Sequence, residues 1–234
     1  APPAFHWMGF VGALLILGVW FFYLRQIDVF EPEPFWLAGL TCAGGMAFSL
    51  LVTPLYDGLD FGLGFRLAGG YLNDFAFCVF GIGLVEEAVK IVPVLLVLRF
   101  TAAINESVDY LIYGSLSGLG FAFMENLLYF DEGGLVDISG RALSAVVFHM
   151  TLTALVMFGL FYSRYQKKHP PLLYFALTFA AAVVVHGVYD FWLVAEGWIG
   201  ELSILSVVIL IHALMKYGTA LNCALNLSEH IPKK

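Results

Sequence analysis

The chain has 234 residues, of which 61% are hydrophobic and only 12% charged, and its formal net charge is −7. Soluble domains are about a quarter charged, so this composition excludes an ordinary soluble globule and points to a bilayer as the solvent. The acidic balance, with no basic tract, excludes a nucleic-acid partner.

Apolar segments long enough to span lie at residues 7–24, 35–55, 73–98, 109–130, 142–163, 172–194 and 202–221. Each is close to the ~20 residues that cover ~30 Å of hydrocarbon at ~1.5 Å per residue. Backbone groups in hydrocarbon must be paired within the segment, so the spans are helices. The expected fold is all-α: a polytopic bundle of about seven transmembrane helices, forming a single domain over 1–234 with its polar core within 84–190. The first run is too long for a signal-peptide core and no cleavage signal follows it, so it is expected to remain a span. The connection 56–66 mixes aromatics, glycine and charge, and is expected to lie along the membrane interface. Cys42, Cys78 and Cys223 show no CxxC spacing and read as small buried hydrophobes.

Basic residues set the expected orientation. Arg25, Arg99, Arg164, Lys167, Lys168, Lys233 and Lys234 fall on one side of the alternation, with Lys216 close by. The other side holds only Arg66 and Arg141, among Asp57, Asp60, Asp131, Glu132, Asp137, Glu196 and Glu201. The positive-inside rule then puts the C-terminus in the cytoplasm and the N-terminus outside, in a multi-pass protein of the cell membrane.

Ionisable residues within spans mark function by default, because burying each costs at least a few kcal/mol. The third span carries Glu86, Glu87 and Lys90, the fourth Glu125 and Asn126, the fifth His149, the sixth His186 and Asp190, and the seventh His212 and Lys216. Counted from the outer end at ~1.5 Å per residue, Glu86 lies at about 18 Å, His186 at about 12 Å, His149 at about 10 Å and Glu125 at about 8 Å. Four helices thus aim polar groups at one layer in the outer half of the membrane. Lys216 reads as a lysine that snorkels to the interface, and His212 as a bond between helices.

Helical spacing sharpens the pattern. Glu86 and Lys90 share a face at i,i+4, while Glu87 points about 100° away. One carboxylate can therefore face a water or a metal while the other is held by a neighbouring helix. His186 and Asp190 are also i,i+4, so either both face the site or Asp190 fixes the tautomer of His186. Two histidines and several carboxylates suit a divalent metal such as zinc, with one carboxylate left as general base. They equally suit a metal-free water activated between Glu and His. Asn126 or a histidine is then the donor to a tetrahedral oxyanion. The glycines Gly114 and Gly118 allow close helix approach, expected to bring the Glu125 end of the fourth span against the third. There is no GxSG, GxGD or HExxH motif for other intramembrane proteolytic chemistries. A proton-coupled carrier or a non-catalytic scaffold are the alternative classes, although the chain shows no internal repeat of the transporter kind.

Glu86-Glu87-x-x-Lys90, the run 109–114 (DYLIYG) leading into 118–126 (GLGFAFMEN), then His149, then His186-x-x-x-Asp190 resemble the PrsW family of intramembrane proteases. The double glutamate and the His-x-x-x-Asp pair are also similar to the wider CAAX-prenyl endopeptidase group. Here, however, Lys90 stands where that group has Arg, and Glu125 follows Phe121 where it has His. The resemblance implies a bacterial or archaeal membrane protease that cleaves a membrane-anchored protein, such as an anti-sigma factor, on its extracytoplasmic side. It implies that Glu86 and Glu87 carry catalysis, with Glu125, His149 and His186 as ligands of a metal or a water. With the spacing argument, the candidate set is Glu86, Glu87 and Asn126 for catalysis, and Glu125, His149, His186 and Asp190 around a divalent metal such as zinc.

Overall fold

A computed structural model describes residues 7–27, 31–129, 135–165, 170–195 and 204–229. The helices are α1 (Trp7–Ile27), α2 (Phe35–Ser49), α3 (Val52–Leu63), α4 (Tyr71–Ala76), α5 (Leu84–Phe100), α6 (Ser107–Tyr129), α7 (Leu135–Tyr165), α8 (Leu173–Val194) and α9 (Ile204–Glu229). A π-helical segment, Phe77–Gly83, joins α4 to α5 without a break. Among the described residues there is no strand. Gly9–Ile27, Phe35–Leu63, Ser107–Leu128, Ser144–Tyr165, Leu173–Val194 and Leu205–Ser228 are long and apolar enough to cross a membrane. The seventh crossing is the continuous helical run 71–100, which carries the buried charges Glu86, Glu87 and Lys90. The protein is thus an all-α polytopic bundle of about seven membrane helices.

The layering follows from side-chain size. α6 and α7 are mostly buried, whereas α1 and α9 leave most of their apolar side chains outward, as lipid-facing helices do. α6 is the axis of the bundle and packs on α7, α2, α1, α5 and α9. Its glycines make this possible. A Cβ on Gly114 would lie 2.8 Å from Ala154 Cα, and one on Gly118 would lie 2.6 Å from the His149 carbonyl oxygen. The close partner of the two glycines is therefore α7, whereas the third span, which the sequence suggests, meets α6 beside them through Ser117 and Phe121. Gly120 faces α2, where a Cβ would collide with the Cys42 carbonyl.

Polar contacts pin the other end of the bundle. Asp109 Oδ2 accepts the backbone N–H groups of Asn105 and Glu106 at 2.8 and 2.6 Å, capping α6. The Ser107 hydroxyl donates to the Ala224 carbonyl at 2.8 Å and docks the end of α9. Cys42 and Cys78 are buried, in keeping with their reading as core residues, while Cys223 is only partly buried. His212 is exposed on α9, so it does not bridge helices as expected; its face of α9 turns away from the bundle. The connection expected along the interface is helical through Leu63 and ends at Gly64, whose φ of +60° lies in the left-handed region.

Candidate active site

The π segment sets up the site. Such segments interrupt the α-helical hydrogen-bond register, and they recur at functional sites. Here it ends at Gly83, three residues before Glu86. It also lets α8 come close: a Cβ on Gly187 would lie 2.4 Å from Val79 Cα, and one on Gly83 would lie 2.5 Å from the Val183 carbonyl oxygen. Gly187 adjoins His186, so this contact delivers the imidazole to α5.

Glu87 is fully buried. Its Oε1 lies 2.7 Å from His186 Nδ1 and 3.0 Å from Lys90 Nζ, while Oε2 is buried with no partner among the described residues. Glu86 keeps slight exposure, at 7%. Its Oε1 accepts the Tyr56 hydroxyl at 2.9 Å, and its Oε2 lies 3.3 Å from Lys90 Nζ and 3.4 Å from His186 Nε2. The two neighbouring carboxylates therefore face different surroundings, as their 100° separation requires. Glu87 is clamped between α5 and α8, and Glu86 looks toward α3.

Lys90 is fully buried at the centre. Its Nζ contacts both glutamates, lies 2.6 Å from His149 Nδ1, and sits 4.3 Å over the Phe121 ring. A buried ammonium persists only when paired, and here carboxylates, an imidazole and a ring face share the pairing. The Ser117 hydroxyl donates to the Lys90 carbonyl and ties α6 to the same turn of α5.

The imidazoles are each held by acids. His149 Nε2 lies 2.6 Å from Glu125 Oε2. His186 Nε2 lies 3.2 Å from Asp190 Oδ2. The two rings stand 5.2 Å apart between centroids. Glu86, Glu87, Glu125, His149, His186 and Asp190 are thus brought into one connected cluster. Asn126 is not. It is buried at 4%, on the face of α6 that lines a small space with Ala13, Ile16 and Leu17 of α1. That placement follows from its 100° offset from Glu125. Tyr56 was not singled out by the sequence, because it lies in the connection read as interfacial and has no helical spacing to Glu86.

The donor set fits a divalent ion. One ligand atom each from Glu86, His149 and His186 lies within 4.8 Å of the others, a carboxylate and two imidazoles of the kind zinc takes. Two carboxylates contact the one ammonium and two more contact the imidazoles, so four acids meet three bases, and Glu87 Oε2 has no partner among the described residues. The compact group takes Glu86 where the sequence suggested Glu125 and Asp190. Each of those acids contacts an imidazole instead, the arrangement that orients histidine ligands.

Fold and site together define a class: a polytopic helical membrane protein whose interior holds a histidine–carboxylate centre suited to a metal. Residues 33–215 match the family described as PrsW family intramembrane metalloprotease. The chain belongs to the PrsW family of intramembrane metalloproteases. It is 28% identical over 216 residues to Protease PrsW of Clostridioides difficile strain 630, covering 86% of each chain. It is 30% identical over 118 residues to Protease PrsW of Bacillus subtilis strain 168, covering 50% of this chain and 54% of that one. With Protease PrsW of Geobacillus kaustophilus the identity is 31% over 116 residues, covering 49% of this chain and 51% of the relative. The matched region thus spans about half the length of two of these relatives and most of the third. No solved structure gives a significant match.

Proposed function

We propose that this chain is an intramembrane endopeptidase that hydrolyses a peptide bond in a membrane-anchored protein near the extracytoplasmic face. One observation carries the reading: Glu86, His149 and His186, from three different helices, converge to within 4.8 Å inside the bundle. A structural salt bridge needs only Glu87 and Lys90; it gives no reason for a second glutamate and two histidines to meet beside it.

The roles follow from the contacts. Glu87, held by Lys90 and His186, is the supporting carboxylate. It meets Nδ1 of His186 while Asp190 meets Nε2, and the two acids together fix the orientation of the ring beside Glu86. Glu125 orients His149 through Nε2, and Lys90 meets the other ring nitrogen. Glu86 retains access and is the base: it takes a proton from the attacking water and passes it to the leaving amine. His149 and His186 would hold the divalent metal beside Glu86, which is left as the base; zinc is an ion such donors suit. When bound, such an ion polarises the scissile carbonyl and acidifies water. Of the two oxyanion donors expected, a histidine is better placed than Asn126, which faces α1. An anti-sigma-factor-like substrate is the family expectation and is carried here as part of the proposal.

The test is cleavage of a membrane-anchored reporter by purified Glu86→Gln, Glu87→Gln and His186→Ala variants, alongside metal analysis of the wild type. Loss of cutting in all three supports the assignment. Wild-type rates in all three would overturn it, and proton-coupled flux without any cut product would point to a carrier.

A further inference from the structure

We infer that Tyr56 is a positioning residue for the hydrolytic step, holding the Glu86 carboxylate in the orientation that the reaction needs; this rests on the proteolytic reading above. The partners of Glu86 are unequal. Its Oε2 lies 3.3 Å from Lys90 Nζ and 3.4 Å from His186 Nε2, both long for charge-assisted contacts. Its only short bond among the described contacts is the one from the Tyr56 hydroxyl, at 2.9 Å to Oε1. A carboxylate beside a buried ammonium is drawn into a close pair with it, and a base so paired is poorly available to water. Tyr56 pulls on the opposite oxygen and keeps Glu86 off Lys90. Glu87, in contrast, is in close contact with Lys90 at 3.0 Å and needs no such restraint.

The setting supports a placed tyrosine. Its ring meets Phe77 of the π segment edge-on, with centroids 6.0 Å apart, and Phe77 in turn meets Phe65 at 5.2 Å. Val52, Val89 and Phe121 form a small core beside it, which fixes the start of α3 against α5 and α6. The rest of α3 is lightly packed, with Val52 its only buried residue. Tyr56 is therefore the point at which α3 engages the site.

The experiment measures kcat and KM for wild type, Tyr56→Phe and Asp57→Asn in proteoliposomes, against single-span reporters carrying varied sequences at the outer membrane boundary. Tyr56→Phe keeps the ring and removes the hydroxyl. Its kcat is expected to fall about ten- to a hundredfold, the usual effect of removing a partner that orients a site group, with KM unchanged. Asp57→Asn, an exposed position on the same helix, is expected to match wild type. Thermal unfolding of a double-mutant cycle gives a readout independent of activity. Tyr56→Phe and Glu86→Ala are expected to be non-additive, and Tyr56→Phe and Glu87→Ala additive. An unchanged kcat, a rise in KM alone, or additivity with Glu86→Ala would overturn the inference. A wild-type protein that cuts none of the reporters would overturn the proteolytic reading, while the cycle would still report whether Tyr56 holds Glu86.

Discussion

At the scale of single residues, Glu86 and Glu87 are chemically identical neighbours with different expected phenotypes. Glu86→Gln keeps size and hydrogen bonding and removes the base. Its cleavage rate should fall by about 10²–10⁴, the range for losing a general acid–base group, while the melting temperature stays near wild type. Removing one partner of the buried Glu87–Lys90 pair strands the other charge. Lys90→Met should therefore cost about 3–5 kcal/mol of stability, read as lowered thermal stability in detergent. The sequence made both glutamates visible because charge in an apolar run is conspicuous. It could not separate their roles, because that depends on which helix faces each side of α5: α8 meets Glu87 and Tyr56 of α3 meets Glu86.

At the scale of elements, the site depends on how closely helices approach. A methyl group on Gly187 would meet the backbone of Val79 at 2.4 Å, so it must push α8 from the π segment and carry His186 away from Glu87. Gly187→Ala should reduce both cleavage and metal affinity by more than tenfold, since a displacement of about 1 Å in positioning groups can cost 10²-fold. Gly39→Ala, with nothing within 4 Å of the added carbon, is the control and should be neutral or gain up to about 1 kcal/mol from helix propensity. Element identity and approximate ends were legible in the hydropathy, because a span must be both apolar and helical. The π segment was not, since the sequence 77–83 is as apolar as an ordinary helix. Nor was the partner of the glycines at Gly114 and Gly118. Small residues announce a close contact without naming the helix that makes it, and here it is α7.

At the scale of the whole molecule, the count of depths along separate helices anticipated a common polar layer, and the side chains of α5, α6, α7 and α8 do touch one another. That part was readable because a bilayer gives every span the same ruler. Asn126 illustrates what depth alone omits: it lies one residue from Glu125, at nearly the same level, yet it lines a space toward α1. The proposed metal adds a reversible dependence. Dialysis against a chelator should abolish cleavage, and added zinc should restore it in wild type; His149→Ala, which removes one of the two clustered imidazoles, should not recover at the same zinc concentration. The proposed orientation is checked by a reporter fused to the C-terminus, expected to be active only in the cytoplasm.

The central claim is that Glu86 drives hydrolysis inside this helical bundle. The most direct measurement is single-turnover cleavage of a membrane-anchored reporter in proteoliposomes, by wild type and by Glu86→Gln, with the products identified by mass spectrometry. The account predicts one cut near the outer membrane boundary with wild type and none on the same timescale with the variant. The same cut, at the same rate, from Glu86→Gln would contradict it.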